Sequence, residues 1–331
     1  MPMFAGNEDT DQRGNRLLTL WKGRFGPIIR AILSISLIAI LVYHIGSGEI
    51  IESLKAVSWQ TLAGATLVLG ASVLLVTPRW AAILSVLGCQ ASWNALIGSV
   101  FLGSLFNQLL PTVIGGDVLR ALRAKQLGAP WKIAIYSVLL DRVSGVLIAL
   151  FGAGVLLPFA ATFEGQARLE WIIAAVIASM GFALLTIRIF GRFLRTPIPL
   201  FARIQRGLVR LHGSIRTFTR KPGATTIIFV LAACNQMLSV AAIMIFARAT
   251  GVSLPVTDLV LITFVTTLAA TIPLSIAGWG IREGTLVYLF GIHGIRPDLA
   301  FTVSILYGFA LLLSTIPGAL FILRTRSAFG G

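Results

Sequence analysis

Charged residues are scarce in this chain. They make up 12% of 331 residues, while 56% are hydrophobic and the mean hydropathy is +0.91. A soluble domain carries about 25% charged residues, and half that share cannot coat a water-facing globule of this size. A soluble enzyme is thereby excluded, and so is a disordered chain. Acidic side chains are the scarcest: 12 Asp and Glu stand against 27 Lys and Arg, a net charge of +15. In a membrane protein such an excess collects on the cytoplasmic face, so it does not point to nucleic acid. Cysteine is almost missing. Cys89 and Cys234 lie in or near apolar stretches and imply neither a disulfide framework nor a metal knuckle. The three histidines, His44, His212 and His293, are scattered without ligand spacing, so no metal or other cofactor is expected. A Gly-rich nucleotide loop, a His-Glu-x-x-His pair and a nucleophile elbow are also absent, and no catalytic residue is assigned.

What the chain has instead is long apolar runs. Spanning the hydrocarbon takes roughly 20 apolar residues, and uninterrupted candidates fall at about 28–45, 61–78, 133–157, 169–188, 225–247 and 299–322. No cleavable signal is expected before them. Residues 1–27 end in a mixture of Leu17, Leu18, Leu20 and Trp21 with Arg13, Arg16, Lys22 and Arg24, which reads as a basic segment on the cytoplasmic membrane surface. The connections alternate in charge. Five Lys/Arg precede or include Arg30, four lie in 113–132 and nine in 188–222, whereas the 46–60, 158–170 and 248–258 connections hold one each. The basic side belongs to the cytoplasm, which puts both termini there, including a tail over 324–331.

Two further apolar stretches, about 94–119 and 258–292, are interrupted by Pro and Gly. The charge count requires each to enter and leave on one face, the first on the cytoplasmic side and the second on the outer side. The sequence therefore predicts an all-α polytopic membrane protein with about six spanning helices and two re-entrant hairpins; a plain eight-helix count is the alternative. The interrupted stretches also resemble each other. Leu110-Pro111-Thr112-Val113-Ile114-Gly115-Gly116-Asp117-Val118-Leu119-Arg120 and Ile272-Pro273-Leu274-Ser275-Ile276-Ala277-Gly278-Trp279-Gly280-Ile281-Arg282 share one pattern at a constant offset of 162 residues. With units at about 61–157 and 225–322 starting on opposite faces, the chain reads as an inverted repeat within a domain of 28–323, its halves joined by the basic loop 188–222. Secondary transporters are commonly built this way, with substrate held where broken helices meet near the midplane.

Pro111 and Pro273 each remove a backbone donor, and the neighbouring glycines permit positive φ and close approach. Irregular backbone of this kind survives at membrane depth only when buried in protein or beside a wet cavity. Asp141 and Arg142, about nine residues into the 133–157 run, are ionisable groups that cost about 2.5–3.5 kcal/mol each at a helix centre. They point about 100° apart and cannot pair with one another. Asp117, Arg120, Arg282 and Glu283 are the available partners, and with Asn107 and Gln108 they are expected to line one polar chamber; a purely structural ion-pair network is the competing reading. Arg120 and Arg282, at equivalent places in the two units, suit capture of an anionic head group from either leaflet. Asp117 is alternatively the N-cap of the helix that follows it. In 199–221, apolar residues from Phe201 to Phe218 recur at three- and four-residue steps opposite a row of arginines. That pattern predicts a cytoplasmic interfacial helix suited to anionic lipid.

The run Asn107-x3-Pro111-x3-Gly115-Gly116-Asp117-x2-Arg120, then Gly128, then Ser137-x3-Asp141-Arg142-x2-Gly145, together with Pro273-x-Ser275-x2-Gly278-x-Gly280-x-Arg282-Glu283-Gly284, resembles the flippase-like transmembrane domain of lysylphosphatidylglycerol synthases. That domain also occurs as stand-alone bacterial and archaeal membrane proteins. The resemblance covers about residues 28–325, and Ala277 stands where the family often has Gly. It implies lipid translocation between leaflets of the cytoplasmic membrane, without the soluble aminoacyl transferase that follows this domain in the two-part synthases. The expected partners are membrane lipids with anionic head groups, polyprenyl or otherwise modified lipids included, and a lipid- or glycan-modifying enzyme is a further candidate. The competing functions are a membrane-embedded transferase using Asp117, Asp141 or Glu283 as base, and a non-catalytic assembly partner of such an enzyme.

Overall fold

A computed structural model of the chain describes residues 26–110, 115–157, 221–272 and 275–326. The described residues are helical throughout, with no strands among them. In chain order the helices are α1 (Gly26–Ile45), α2 (Ser47–Lys55), α3 (Trp59–Val86), α4 (Trp93–Leu109), α5 (Gly115–Gln126), α6 (Trp131–Leu156), α7 (Pro222–Ala249), α8 (Val256–Thr271), α9 (Ile281–Ile292), α10 (Pro297–Thr315) and α11 (Pro317–Arg326). Among the described residues, five stretches are long and apolar enough to cross a membrane: Ile28–Ile45, Trp59–Val86, Trp131–Leu156, Pro222–Ala249 and Pro297–Phe321. They coincide with five of the six uninterrupted runs. The sixth, 169–188, lies outside the described residues, as do the basic segment up to residue 25, the 199–220 amphipathic stretch, and both Pro111 and Pro273.

Local chemistry accounts for several boundaries. Ser58 caps α3, its hydroxyl accepting the backbone N–H of Thr61 at 3.2 Å. Pro222 and Pro297 sit in the first turns of α7 and α10, where a missing N–H costs nothing. α3 runs on through Pro78 to Val86, eight residues beyond the 61–78 run expected from the sequence.

The interrupted stretches each fold as two helices in contact, α4 with α5 and α8 with α9. At about 1.5 Å per residue, the 12-residue α5 and α9 are each roughly 18 Å long, well short of a hydrocarbon core of about 30 Å. Glycine lets the first pair close up: a Cβ on Gly116 would meet the carbonyl oxygen of Gly103 and the amide of Asn107. The second break turns through left-handed backbone at Ala277 (φ 49°), Gly278 (82°) and Gly280 (88°). α1, largely exposed along its length, braces this turn. Ser34 Oγ accepts the N–H of Ile276 at 2.9 Å, and Leu37 lies where a Gly280 Cβ would go.

The 162-residue offset is visible in the architecture. Shifted by it, α3 falls on α7 and α4 on α8 to within one residue at either end. Contacts between helices follow the same exchange. The pairs α3–α4, α4–α5, α5–α6, α3–α6, α3–α10 and α4–α10 have the counterparts α7–α8, α8–α9, α9–α10, α7–α10, α7–α6 and α8–α6, while α3–α7 is its own counterpart and the most extensive contact of all. A helix arrangement unchanged when its halves are swapped is what a pseudo-twofold repeat produces. The largest apolar core lies where α3, α7, α8, α9 and α10 meet, around Leu69, Phe246, Leu286 and Phe290. A second core, around Trp80, Leu96 and Val100, fills the space between α3, α4, α5 and α6.

Candidate functional site

The second core carries the densest buried charge among the described residues. Asp141, 3% exposed in the interior of α6 and about 15 Å from its start, accepts from two arginines at once. Arg79 Nε donates to one carboxylate oxygen at 2.6 Å, and Arg120 Nη1 donates to the other at 2.8 Å. α3 supplies the first arginine and α5 the second, so the triad ties three helices together. The Arg120 guanidinium lies over the Trp80 ring, 4.5 Å from its centroid, a cation–π contact worth about 2 kcal/mol when desolvated. Trp80 is fully buried and held in place by its own hydrogen bond, Nε1 to Ser137 Oγ at 3.0 Å. Arg120 Nε and Nη2 are buried and meet no acceptor among the described residues. Each unmade bond of this kind costs about 1–3 kcal/mol.

Beside the triad, Arg142 makes a forked contact with Asp117, Nε to Oδ2 at 2.9 Å and Nη2 to Oδ1 at 3.1 Å. This pair is open where the triad is closed: the Arg142 side chain is 48% exposed. Asp117 therefore does not serve as an N-cap. It sits in the first turn of α5, which begins at Gly115, and is engaged with Arg142 and, at 3.5 Å, with Asn107 Nδ2. Asn107 Oδ1 in turn accepts the N–H of Gly116 at 3.0 Å, so the last turn of α4 satisfies one of the free donors that open α5. Gln108 is next to it and its Oε1 is buried without a donor.

The second unit is arranged differently. Arg282 Nε donates to Glu283 Oε1 at 2.9 Å and Nη2 donates to the same oxygen, while Trp279 and Tyr307 lie across the guanidinium at 4.6 and 5.7 Å. Gly308 leaves room for it, since a Cβ there would overlap the guanidinium. Glu283 also accepts from Ser304 and reaches back to the N–H of Gly280 at the start of α9. That last contact is half of a capping box, the glycine having no side chain to return it. The single chamber expected from the sequence is thus resolved into two clusters: Asn107, Asp117, Arg120, Asp141 and Arg142 come together, Arg282 and Glu283 come together next to Gly278 and Gly280, and among the described residues no hydrogen bond or ion pair joins the two sets.

Sequence reasoning missed Arg79. The 61–78 apolar run stops one residue before it, which makes it look like the end of a span. The signal against that reading is the apolar run from Trp80 to Leu87 that follows it, which keeps Arg79 seven residues inside the helix. Two further polar contacts were also missed, one joining α2 to α10 and the other joining α8 to the end of α9. Ser53 donates to Asp298 at 2.7 Å, Arg296 chelates the same carboxylate, and His293 Nδ1 lies 3.7 Å from Asp258. Burial pushes the His293 imidazole below its ordinary value, against the pull of the Asp258 carboxylate. Among the described residues no cluster of His, Cys, Asp and Glu could hold a metal.

Residues 28–318 match the family described as the lysylphosphatidylglycerol synthase TM region, and the chain belongs to that family. It is also 26% identical over 306 residues to a UPF0104 membrane protein of Methanothermobacter thermautotrophicus, an alignment covering 84% of this chain and 87% of that protein. The chain is an integral membrane protein with several apolar helices, and its family is one of lipid metabolism or transport.

Proposed function

We propose that this member of the lysylphosphatidylglycerol synthase transmembrane family is a lipid translocator of a bacterial or archaeal cytoplasmic membrane, moving a lipid with an anionic head group between leaflets. In this reading both termini are cytoplasmic, and α4–α5 and α8–α9 are re-entrant hairpins that enter from opposite faces. Asn107, Pro111, Gly115, Gly116, Asp117, Arg120, Asp141, Arg142, Pro273, Gly278, Arg282 and Glu283 form or frame the polar path between them. Carrying a charged head group through hydrocarbon costs many kcal/mol unless fixed charges and donors replace its water. The observation that carries the reading is the buried Arg79–Asp141–Arg120 triad beside the half-exposed Arg142–Asp117 pair, at mid-helix and against a helix pair too short to span. Charges at that depth are expensive even when paired, and by default they mark a substrate path.

A membrane-embedded transferase is less well supported. Asp117, Asp141 and Glu283, the candidate bases, are each engaged by arginine. The test is lipid movement by the purified chain in sealed vesicles, read as loss of protection of inner-leaflet fluorescent phosphatidylglycerol from a membrane-impermeant reductant. Protein-dependent loss of protection is expected. Protection equal to that of protein-free vesicles overturns the proposal.

A further inference from the structure

The α8–α9 pair is held at its feet as well as at its break. Asp258 stands in the first turn of α8 and His293 caps the end of α9, so each lies at the foot of one limb. Both side chains are buried, at 1% and 2% exposure, and His293 Nδ1 is 3.7 Å from Asp258 Oδ2. That spacing gives attraction across a buried gap but exceeds the roughly 2.7–3.2 Å of a hydrogen bond. The neighbouring anchor is of another kind. Asp298, at the start of α10, is held by Ser53 of α2 at 2.7 Å and by the Arg296 fork, donors that keep their protons at neutral pH. The other charged or titratable groups around these ends are exposed: His44 at the end of α1, Glu49, Glu52 and Lys55 on α2, and Arg248 at the end of α7. α6 meets α8 through Ala149, Ala153 and Leu156, a stretch with no ionisable side chain. Among the described residues, His293 is thus the one buried side chain at this end whose charge changes between about pH 5 and 8.

We propose that the Asp258–His293 pair is an acid-sensitive latch on the second broken helix pair: with His293 neutral it holds the feet of α8 and α9 together, and a proton on the imidazole releases them. The direction follows from what closure costs the charged form. A buried imidazolium gives up its water, and a carboxylate 3.7 Å away, without a short bond to it, returns less than that loss. Burial accordingly holds the imidazole below its ordinary value in spite of Asp258. A base of that kind favours the closed form above about pH 6.5, the value of a hydrated histidine, and turns against it as the pH falls further. The latch also has something to move. Past His293 the chain turns through Gly294, in left-handed backbone at φ 71°, into α10, which Ser53 and Arg296 keep anchored. Release therefore lets the start of α8 shift against a fixed α9–α10 corner. At their other ends the same two helices flank the turn at Ala277, Gly278 and Gly280, so a shift at the feet reaches the break through rigid helix. Such a latch works whatever the protein carries.

The test is hydrogen–deuterium exchange, read by mass spectrometry, of the purified full chain in detergent at about pH 8 and about pH 5.5, corrected for the intrinsic pH dependence of exchange. Peptides covering the start of α8 and the end of α9 should exchange faster at the lower pH. The rise is at most about tenfold, the limit for a hydrated histidine whose pKa lies about one unit above that pH. Peptides from the α3–α7 contact should not respond. His293→Gln, which keeps a polar side chain and cannot gain a proton, should exchange alike at both pH values. Asp258→Asn should enlarge the acid response, because the carboxylate no longer offsets the buried positive charge. If neither variant purifies, nuclear magnetic resonance of the chain with isotopically labelled histidine should show His293 titrating below about 6.5, its signal told from the others by His44→Gln and His212→Gln. Exchange at the feet that is unchanged or slower on acidification overturns the proposal. So does a response shared with the α3–α7 peptides, a response that survives in His293→Gln, or a His293 midpoint at or above about 6.5.

Discussion

Asp141 is the residue on which the first charge cluster turns, because it alone compensates two buried arginines. Removing one partner of a buried ion pair costs about 3–5 kcal/mol. Asp141→Asn should therefore lower the unfolding temperature in detergent sharply. Asp117→Asn, which breaks the half-exposed pair with Arg142, should cost about 1 kcal/mol or less. A similar loss in both variants would contradict the burial contrast. Ala277 offers a test of opposite sign. Its φ of 49° lies in left-handed backbone, which costs an L residue about 1–2 kcal/mol. Ala277→Gly should leave thermal stability unchanged or raise it, while Ala277→Val should lower it.

At the scale of helices, the close crossing of α4 and α5 depends on glycine. A methyl on Gly116 would meet the Gly103 carbonyl far inside van der Waals contact, and backbone cannot swing aside as a side chain does. Gly116→Ala should push the pair apart, loosening the hydrogen bond from Gly116 to Asn107 and lowering stability by about 1–3 kcal/mol, measured by thermal unfolding. The two interruptions, their pattern and the five described spans were legible in the sequence because Pro, Gly and uninterrupted apolar length are local signals. The partners of Asp141 and Arg142 were not. Which arginine meets which carboxylate depends on how each helix is rotated, and helices apolar on all sides give no face to read. Arg79 was hidden for a related reason: a lone arginine after proline looks like a membrane boundary until the seven mostly apolar residues behind it, Trp80 to Val86, are counted as helix.

For the whole molecule, the exchange of contacts between the units gives the account its physical logic. Two units of the same plan, meeting through α3 and α7, present one broken helix pair each, and a 162-residue offset in sequence becomes a twofold relation in packing. α1 and α2 lie outside that relation. They touch the second break and α10 through Ser34 and Ser53, so the outer ends of the units are not equivalent. Lipid translocation as proposed requires both breaks to lie in hydrated surroundings deep in the membrane. Leu110 and Ile272, which sit at equivalent places beside the two breaks, test it by cysteine labelling after Cys89 and Cys234 are replaced with serine. Both Leu110→Cys and Ile272→Cys should react, in opened vesicles, with a small water-soluble thiol reagent that cannot enter lipid. Reaction of either position only with a lipid-soluble maleimide would contradict the account.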